Sequence, residues 1–246
     1  MFPLRDHNPS SRFPFVTLAL IAANVAVFLF CLPLFSNPKA LHALFMEWGM
    51  VPALITQSGD WSGMLTSMFL HGGVLHLAGN MLFLWIFGDN MEDRFGHLGF
   101  LLFYLAGGVA AALLQYAVAP SSPIPVVGAS GAIAAVMGGY LLLFPKARVD
   151  LLIILIVIFR VIPVPAWLML GLWFGLQLYS GASAAADEGG VAYWAHSGGF
   201  IAGLALTLPL WLKLGGPAFW NRTAGSPPHP VGVYRTTSVP RVRRRR

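Results

Sequence analysis

Long apolar runs separated by short polar breaks organise this chain. Six of them, at about 14–35, 70–88, 98–119, 126–144, 163–180 and 191–214, are near the length needed to span a membrane. A helix needs ~20 residues to cross ~30 Å of hydrocarbon. The breaks are charged or proline-rich. Asp89-Asn90-Met91-Glu92-Asp93-Arg94 closes the second run, Pro120-Ser121-Ser122-Pro123-Ile124-Pro125 the third, and Pro145-Lys146 the fourth. Backbone groups in lipid must pair within their own segment, so the runs predict helices packed as a bundle.

Two stretches depart from this pattern. Residues 149–162 are apolar, but Arg160 and the prolines Pro163 and Pro165 argue against one helix running through them. An interfacial segment leading into the fifth helix is expected there. The loop 36–67 carries Phe45, Trp48, Trp61 and Met64, with Glu47 and Asp60 as its only acids. It reads as a segment lying in the membrane interface, with a plain aromatic anchor as the equal alternative. The expected organisation is a cytoplasmic tail over 1–12, a six-helix membrane-embedded domain over 13–214, and a basic, unstructured cytoplasmic tail over 215–246.

Composition agrees with the pattern. The 246 residues are 57% hydrophobic and only 10% charged, with a mean hydropathy of +0.72. Soluble domains run nearer a quarter charged, so the fold class is an all-α integral membrane protein. The net charge of +6 does not call for nucleic acid, because Arg241, Arg243, Arg244, Arg245 and Arg246 supply much of it from the last six positions. Such a cluster is a cytoplasmic anchor at anionic lipid.

Orientation follows from the basic residues. Arg5, Arg12, Arg94, Lys146, Arg148, Arg160, Arg222 and the terminal arginines fall on one side of the six spans, with Lys213 at the border, against Lys39 alone on the other. Both termini are therefore expected in the cytoplasm, with the loop 36–67, the proline-rich link and the Asp187-Glu188 loop outside. Cys31 is the single cysteine, so no intramolecular disulfide forms. The first run is too long for a signal peptide and includes Asn24 and Pro33.

Polar groups inside such helices are costly and mark functional sites. Ser130, His196, and the pair His76 and Asn80 each lie near the outer beginning of a different span, ~5–15 Å below the surface at ~1.5 Å per residue. All nine acids are assigned to loops or tails, so the available nucleophilic arrangement is a Ser130–His196 dyad rather than a triad. His76 and Asn80 are i, i+4 and face one place. With the Ser130 amide at a helix N-terminus, they offer three donors to an oxyanion. Small residues at helical spacing, with Ser130, Ala134 and Gly138 on the fourth span and His196, Gly199 and Gly203 on the sixth, allow the two helices to approach closely.

The motifs resemble those of the rhomboid intramembrane serine proteases. His71, His76 and Asn80 follow the family's His-x4-His-x3-Asn pattern, and Gly128-Ala129-Ser130-Gly131 follows its Gly-x-Ser-Gly. Ala195-His196 with Gly199 and Gly203 is similar to its last-helix motif. The resemblance covers about 13–214. It implies a six-helix rhomboid-like bundle with Ser130 as nucleophile and His196 as general base and acid. It also implies His76, Asn80 and the Ser130 amide at the oxyanion, His71 and Gly128 in support, and no metal or organic cofactor. Implied partners are the lipid bilayer and transmembrane protein substrates, which are cut in or near their helices. The family also suggests substrate access between the second and fifth helices, where Trp85, Phe87, Trp167, Trp173 and Phe174 could form a lateral gate.

Two departures stand out. Ala134 occupies a position where relatives often place an aromatic that stacks on the histidine, so Trp194 or Tyr193 is expected to hold His196 instead. Trp61 is followed by Ser62 where many members carry arginine. The alternative function is a proteolytically inactive relative that binds membrane clients. A histidine metal site is disfavoured, because His-x4-His lacks the His-Glu-x2-His spacing. The patterning fits a bacterial inner membrane.

Overall fold

The computed structural model describes residues 2–155, 158–183 and 191–226. Six helices of 14 or more residues make up the bundle: α1 (Phe15–Cys31), α5 (Val74–Phe95), α6 (His97–Val118), α7 (Ser130–Leu143), α8 (Ala166–Ser183) and α9 (Tyr193–Lys213). By length and composition alone, three of them could cross a membrane: α1 with its 3-10 extension to Ser36, α6 and α9. A fourth qualifies if α5 is joined to the bent segment Gly63–Phe69 before it. The two that fall short, α7 and α8, are the short central helix and a helix interrupted by polar and small residues.

Helix α7 is the axis of the fold. Its residues from Ala132 to Tyr140 are all buried, and it packs against α9, α6, α5 and, more lightly, α8. Alanine and glycine make this possible. A Cβ on Gly199 of α9 would overlap the Gly131 carbonyl oxygen, one on Gly203 would overlap the carbonyl of Ala135, and one on Gly138 would overlap that of Phe200. The two backbones therefore touch, which is how small residues drive helix association where lipid removes the hydrophobic incentive. Helix α1 lies on the far side against α5 and α6, and α8 rests mainly on α9.

The loop 36–67 is a compact helical unit. It contains α2 (Pro38–Trp48), α3 (Pro52–Ser58) and α4 (Gly63–Thr66). Met50, Ile55 and Met64 form a small core there with Ala112 of α6.

One end of the bundle carries a sheet that an all-α expectation did not include. Residues 149–162, expected as an interfacial segment leading into the fifth helix, do lead into α8 and lie largely in strands. Strand β2 (Arg148–Leu155) turns back into β3 (Ile158–Pro165), and the expected tail 1–12 supplies β1 (Phe2–Asp6), giving an antiparallel sheet in the order β1-β2-β3. The Ile/Val-rich run favours strand, and Pro163 and Pro165, which would break a helix, sit on an edge strand that needs no outward N–H. Polar side chains tie this sheet to the bundle and its strands to one another. Asp6 Oδ2 accepts from the Tyr140 hydroxyl of α7 at 2.7 Å and from Asn90 Nδ2 at 3.1 Å. Burial lifts the Asp6 carboxyl to about 7. Asp150 takes Arg5 at 2.9 Å and His7 at 2.7 Å, and the Arg5 guanidinium, with His7, holds its carboxyl below the usual range.

Helix α5 also runs past the expected end at Gly88, through to Phe95, so Asp89, Glu92 and Asp93 belong to a helix rather than a loop. Glu92 is buried because it closes the N-terminus of α1: it accepts the N–H groups of Val16 and Thr17 at 2.8 Å each and the Thr17 hydroxyl at 2.7 Å. The first of the residues assigned to the second tail form α10 (Pro217–Thr223), whose Phe219 is buried. The terminal arginines and the Asp187-Glu188 loop lie outside the described residues.

Candidate active site

Three helix N-termini converge on one cavity of about 550 Å³. Ser130 is the first residue of α7, His196 stands in the first turn of α9, and His76 and Asn80 lie in the first two turns of α5. Ser130, His76, Asn80 and His196 all line the cavity, with Phe83, Met137 and Trp173 forming apolar walls. The extended link Ile124–Val127 borders it, anchored by a bridge between Val126 and Met50.

Ser130 Oγ and His196 Nε2 are 2.8 Å apart. That distance depends on the α7–α9 backbone contact, since any bulkier residue at Gly199 would part the two helices, while a Cβ on Gly131 would press on Ala111 of α6. Gly198 tightens the other side of α9, where a Cβ would press on Leu114 of α6. Gln115 of α6 accepts the Ala195 N–H at 3.1 Å, satisfying one of the orphan donors of the first turn of α9 beside His196.

The donors gather around Gly128. Its φ of +128° is a conformation that side-chain-bearing residues avoid, and a Cβ there would meet His76 Nε2 at 2.8 Å and Asn80 Nδ2 at 3.6 Å. Glycine thus lets both side chains close over the backbone that precedes Ser130. His76 Nδ1 accepts the Gly72 N–H at 3.3 Å, which places the proton of the neutral ring on Nε2, the nitrogen facing Gly128. Asn80 Nδ2 is buried with no hydrogen-bond partner among the described residues. A buried, unpaired amide donor beside a serine at a helix N-terminus is the arrangement that receives developing negative charge. His71 is not in the cavity wall. It is buried behind His76, ring edge to face at 5.1 Å, and supports that ring.

His196 is held by α8, not by its own neighbours. Its Nδ1 lies 2.8 Å from Gln177 Oε1, and the Trp173 ring lies against it with centroids 5.8 Å apart. Trp194 and Tyr193, expected in that role, face Gly181 of α8 instead. Ala134 is fully buried, its Cβ 3.2 Å from where a Cβ on Gly199 would stand, so no aromatic fits there. Of the expected gate residues, Phe87 is excluded: it is buried against Tyr140 at 4.9 Å because that side of α5 faces α7. Phe174 stacks on Phe200 at 4.5 Å, while Trp85 and Trp167 are exposed. No group of three or more His, Cys, Asp or Glu residues that could hold a metal occurs among the described residues.

The family model for the Rhomboid domain matches residues 58–213, which include every residue of this cavity. The chain belongs to the rhomboid family. It is 36% identical over 128 residues to rhomboid protease GluP of Bacillus subtilis, covering 52% of this chain and 24% of that protein. It is 32% identical over 192 residues to the mitochondrial rhomboid protein 1 of Saccharomyces cerevisiae, covering 76% and 50%. The bovine mitochondrial presenilin-associated rhomboid-like protein is 33% identical over 135 residues, covering 54% and 34%. The matched part of this rhomboid thus spans half or less of each of these relatives. Family and apolar helices together make it an integral membrane protein of the rhomboid protease family.

Two contributors were not assigned from sequence. Gln115 and Gln177 are each an amide inside an apolar helix, the signal that ordinarily marks a site.

Proposed function

We propose that this rhomboid is an intramembrane serine endopeptidase that hydrolyses peptide bonds in or near the transmembrane helices of other membrane proteins. The observation that carries the reading is the 2.8 Å Ser130–His196 pair opening on a cavity that also holds the unpaired Asn80 amide. Ser130 Oγ attacks the scissile carbonyl carbon while His196 Nε2 takes its proton. The oxyanion is met by Asn80 Nδ2, His76 Nε2–H and the Ser130 backbone N–H, aided by the N-terminal dipole of α7. The imidazolium then protonates the departing amine. Water, deprotonated by His196, attacks the acyl-enzyme and releases the second product.

Both termini lie in the cytoplasm and the cavity opens outward in this reading, which the positive-inside pattern supports, so water enters from outside. Substrate helices reach the cavity between α5 and α8, past Phe83 and Trp173. A bacterial inner membrane fits this orientation.

The test is cleavage of a single-span substrate in liposomes by the purified protein and by Ser130→Ala, with fluorophosphonate labelling of Ser130 alongside. Cleavage and labelling that both vanish in the variant are expected. Wild-type protein that neither cleaves nor labels would overturn the reading in favour of a client-binding relative.

A further inference from the structure

A histidine that accepts the serine proton at Nε2 must carry its own proton on Nδ1, and it must keep its ring in the plane of the attack. In soluble serine proteases a buried carboxylate does both. The His196 ring is half-buried between the cavity and Trp173; an unpaired Nδ1–H on its covered side would be costly, and the other tautomer would point its lone pair away from Ser130.

Helix α8 supplies the missing acceptor. Gln177 Oε1 lies 2.8 Å from His196 Nδ1, and Trp173, one helical turn earlier on the same face, covers the ring at 33° to its plane. Trp173 in turn lies 6.0 Å from Phe200, which α9 carries one turn after His196. The contacts to His196 therefore come from a different helix than either member of the dyad. A neutral amide suits the place. It fixes the Nδ1–H without requiring an ionised carboxylate to be buried among apolar helices.

We propose that Gln177 and Trp173 are positioning residues that hold His196 in its Nδ1–H tautomer and in line with Ser130, so that dyad competence depends on α8 being docked. The proposal rests on the serine-protease reading above. Helix α8 is suited to such dependence because it packs lightly: only Ala166, Leu170 and Gly181 are buried along it, and a Cβ at Gly171 or Gly175 would meet nothing within 4 Å.

The experiment compares wild type, Gln177→Leu and Gln177→Glu in liposomes. The readouts are kcat and KM, the fluorophosphonate labelling rate of Ser130, and the His196 ring tautomer from 15N shifts of histidine-labelled protein, assigned by loss of the signal in His196→Ala. Removing the acceptor at nearly constant shape is expected to lower kcat and labelling roughly 10- to 100-fold with KM within about twofold. It should also replace the single Nδ1–H tautomer by a mixture. Gln177→Glu, which restores an acceptor, should recover most of both. Trp173→Ala should lower kcat, with Trp173→Phe recovering part of it.

A Gln177→Leu protein with wild-type kcat, or with reduced kcat but an unchanged His196 tautomer, overturns the proposal and leaves Gln177 as interhelical packing. The tautomer is read in the resting protein. It therefore decides the proposal even if Ser130→Ala showed that the protease reading had failed.

Discussion

Gly199→Ala is the substitution that most directly tests how the fold makes the site. A single methyl at 199 would sit on the Gly131 carbonyl oxygen, 3.0 Å from the Gly131 carbonyl carbon and 3.2 Å from Ala134 Cβ. None of these atoms is the end of a flexible side chain, so the overlap is relieved only by parting α7 and α9 by about 1 Å, at a cost of about 1–3 kcal/mol in stability. Ser130 is one residue from Gly131, and His196 is one turn from Gly199. The same movement would stretch their 2.8 Å contact to roughly 3.8 Å, beyond hydrogen-bond reach. Misplacement by 1 Å can cost on the order of 100-fold in rate. The assay is kcat on a transmembrane substrate in liposomes, with thermal unfolding of the same preparations. Gly171→Ala is the control, since its methyl would enter open space. A folded Gly199→Ala protein with kcat within about threefold of wild type would refute the claim that backbone contact between α7 and α9 sets the dyad distance.

Asp6→Asn should change the pH dependence of stability. The folded protein holds this carboxyl at about 7 against an ordinary 3.8, so it favours the protonated form. Its stabilising contribution is full below pH 3.8, declines as pH rises, and is gone above pH 7. The difference is at most on the order of 4 kcal/mol. The asparagine variant should unfold at a higher temperature than wild type at pH 8 and lose that advantage near pH 4; equal melting curves at both pH values would contradict this. Glu92→Ala should lower stability by about 3 kcal/mol by orphaning the N–H groups of Val16 and Thr17 at the start of α1. Unchanged resistance to thermal unfolding or proteolysis near residue 15 would show that water replaces the carboxylate without loss.

The membrane helices and the polar cluster were legible because each depends on local signals: spanning apolar runs for the helices, and serine, histidine and asparagine in places where lipid penalises them. The residues of the cavity come from three helix beginnings that a depth argument can align. The N-terminal sheet was not legible, since β1 has too few residues to show a period and its partner lies over a hundred residues away. Apolar content in 149–162 looked the same for a strand as for an interfacial segment, and only the prolines distinguished them. Helix α5 overran its predicted end because Glu92 is satisfied by the start of α1 and Asp93 by Ser11 and Arg12, a tertiary effect. The place of Gln177 was not legible, because it depends on how α8 turns, and no periodicity reports that.

The pairing of Arg5 with Asp150 spans 145 positions, which sets an order on biosynthesis. At ~5–20 residues per second, roughly 7–30 s pass between the making of β1 and of β2. During that interval Asp6 has neither Tyr140 nor a neighbouring strand, and it waits as a hydrated, charged residue. Only after α7 has been inserted can β1 fold back, pair and surrender its charge. Closure of the sheet therefore waits for α7, the helix that begins with Ser130, and a ribosome stalled before residue 150 should leave the N-terminal segment open to protease.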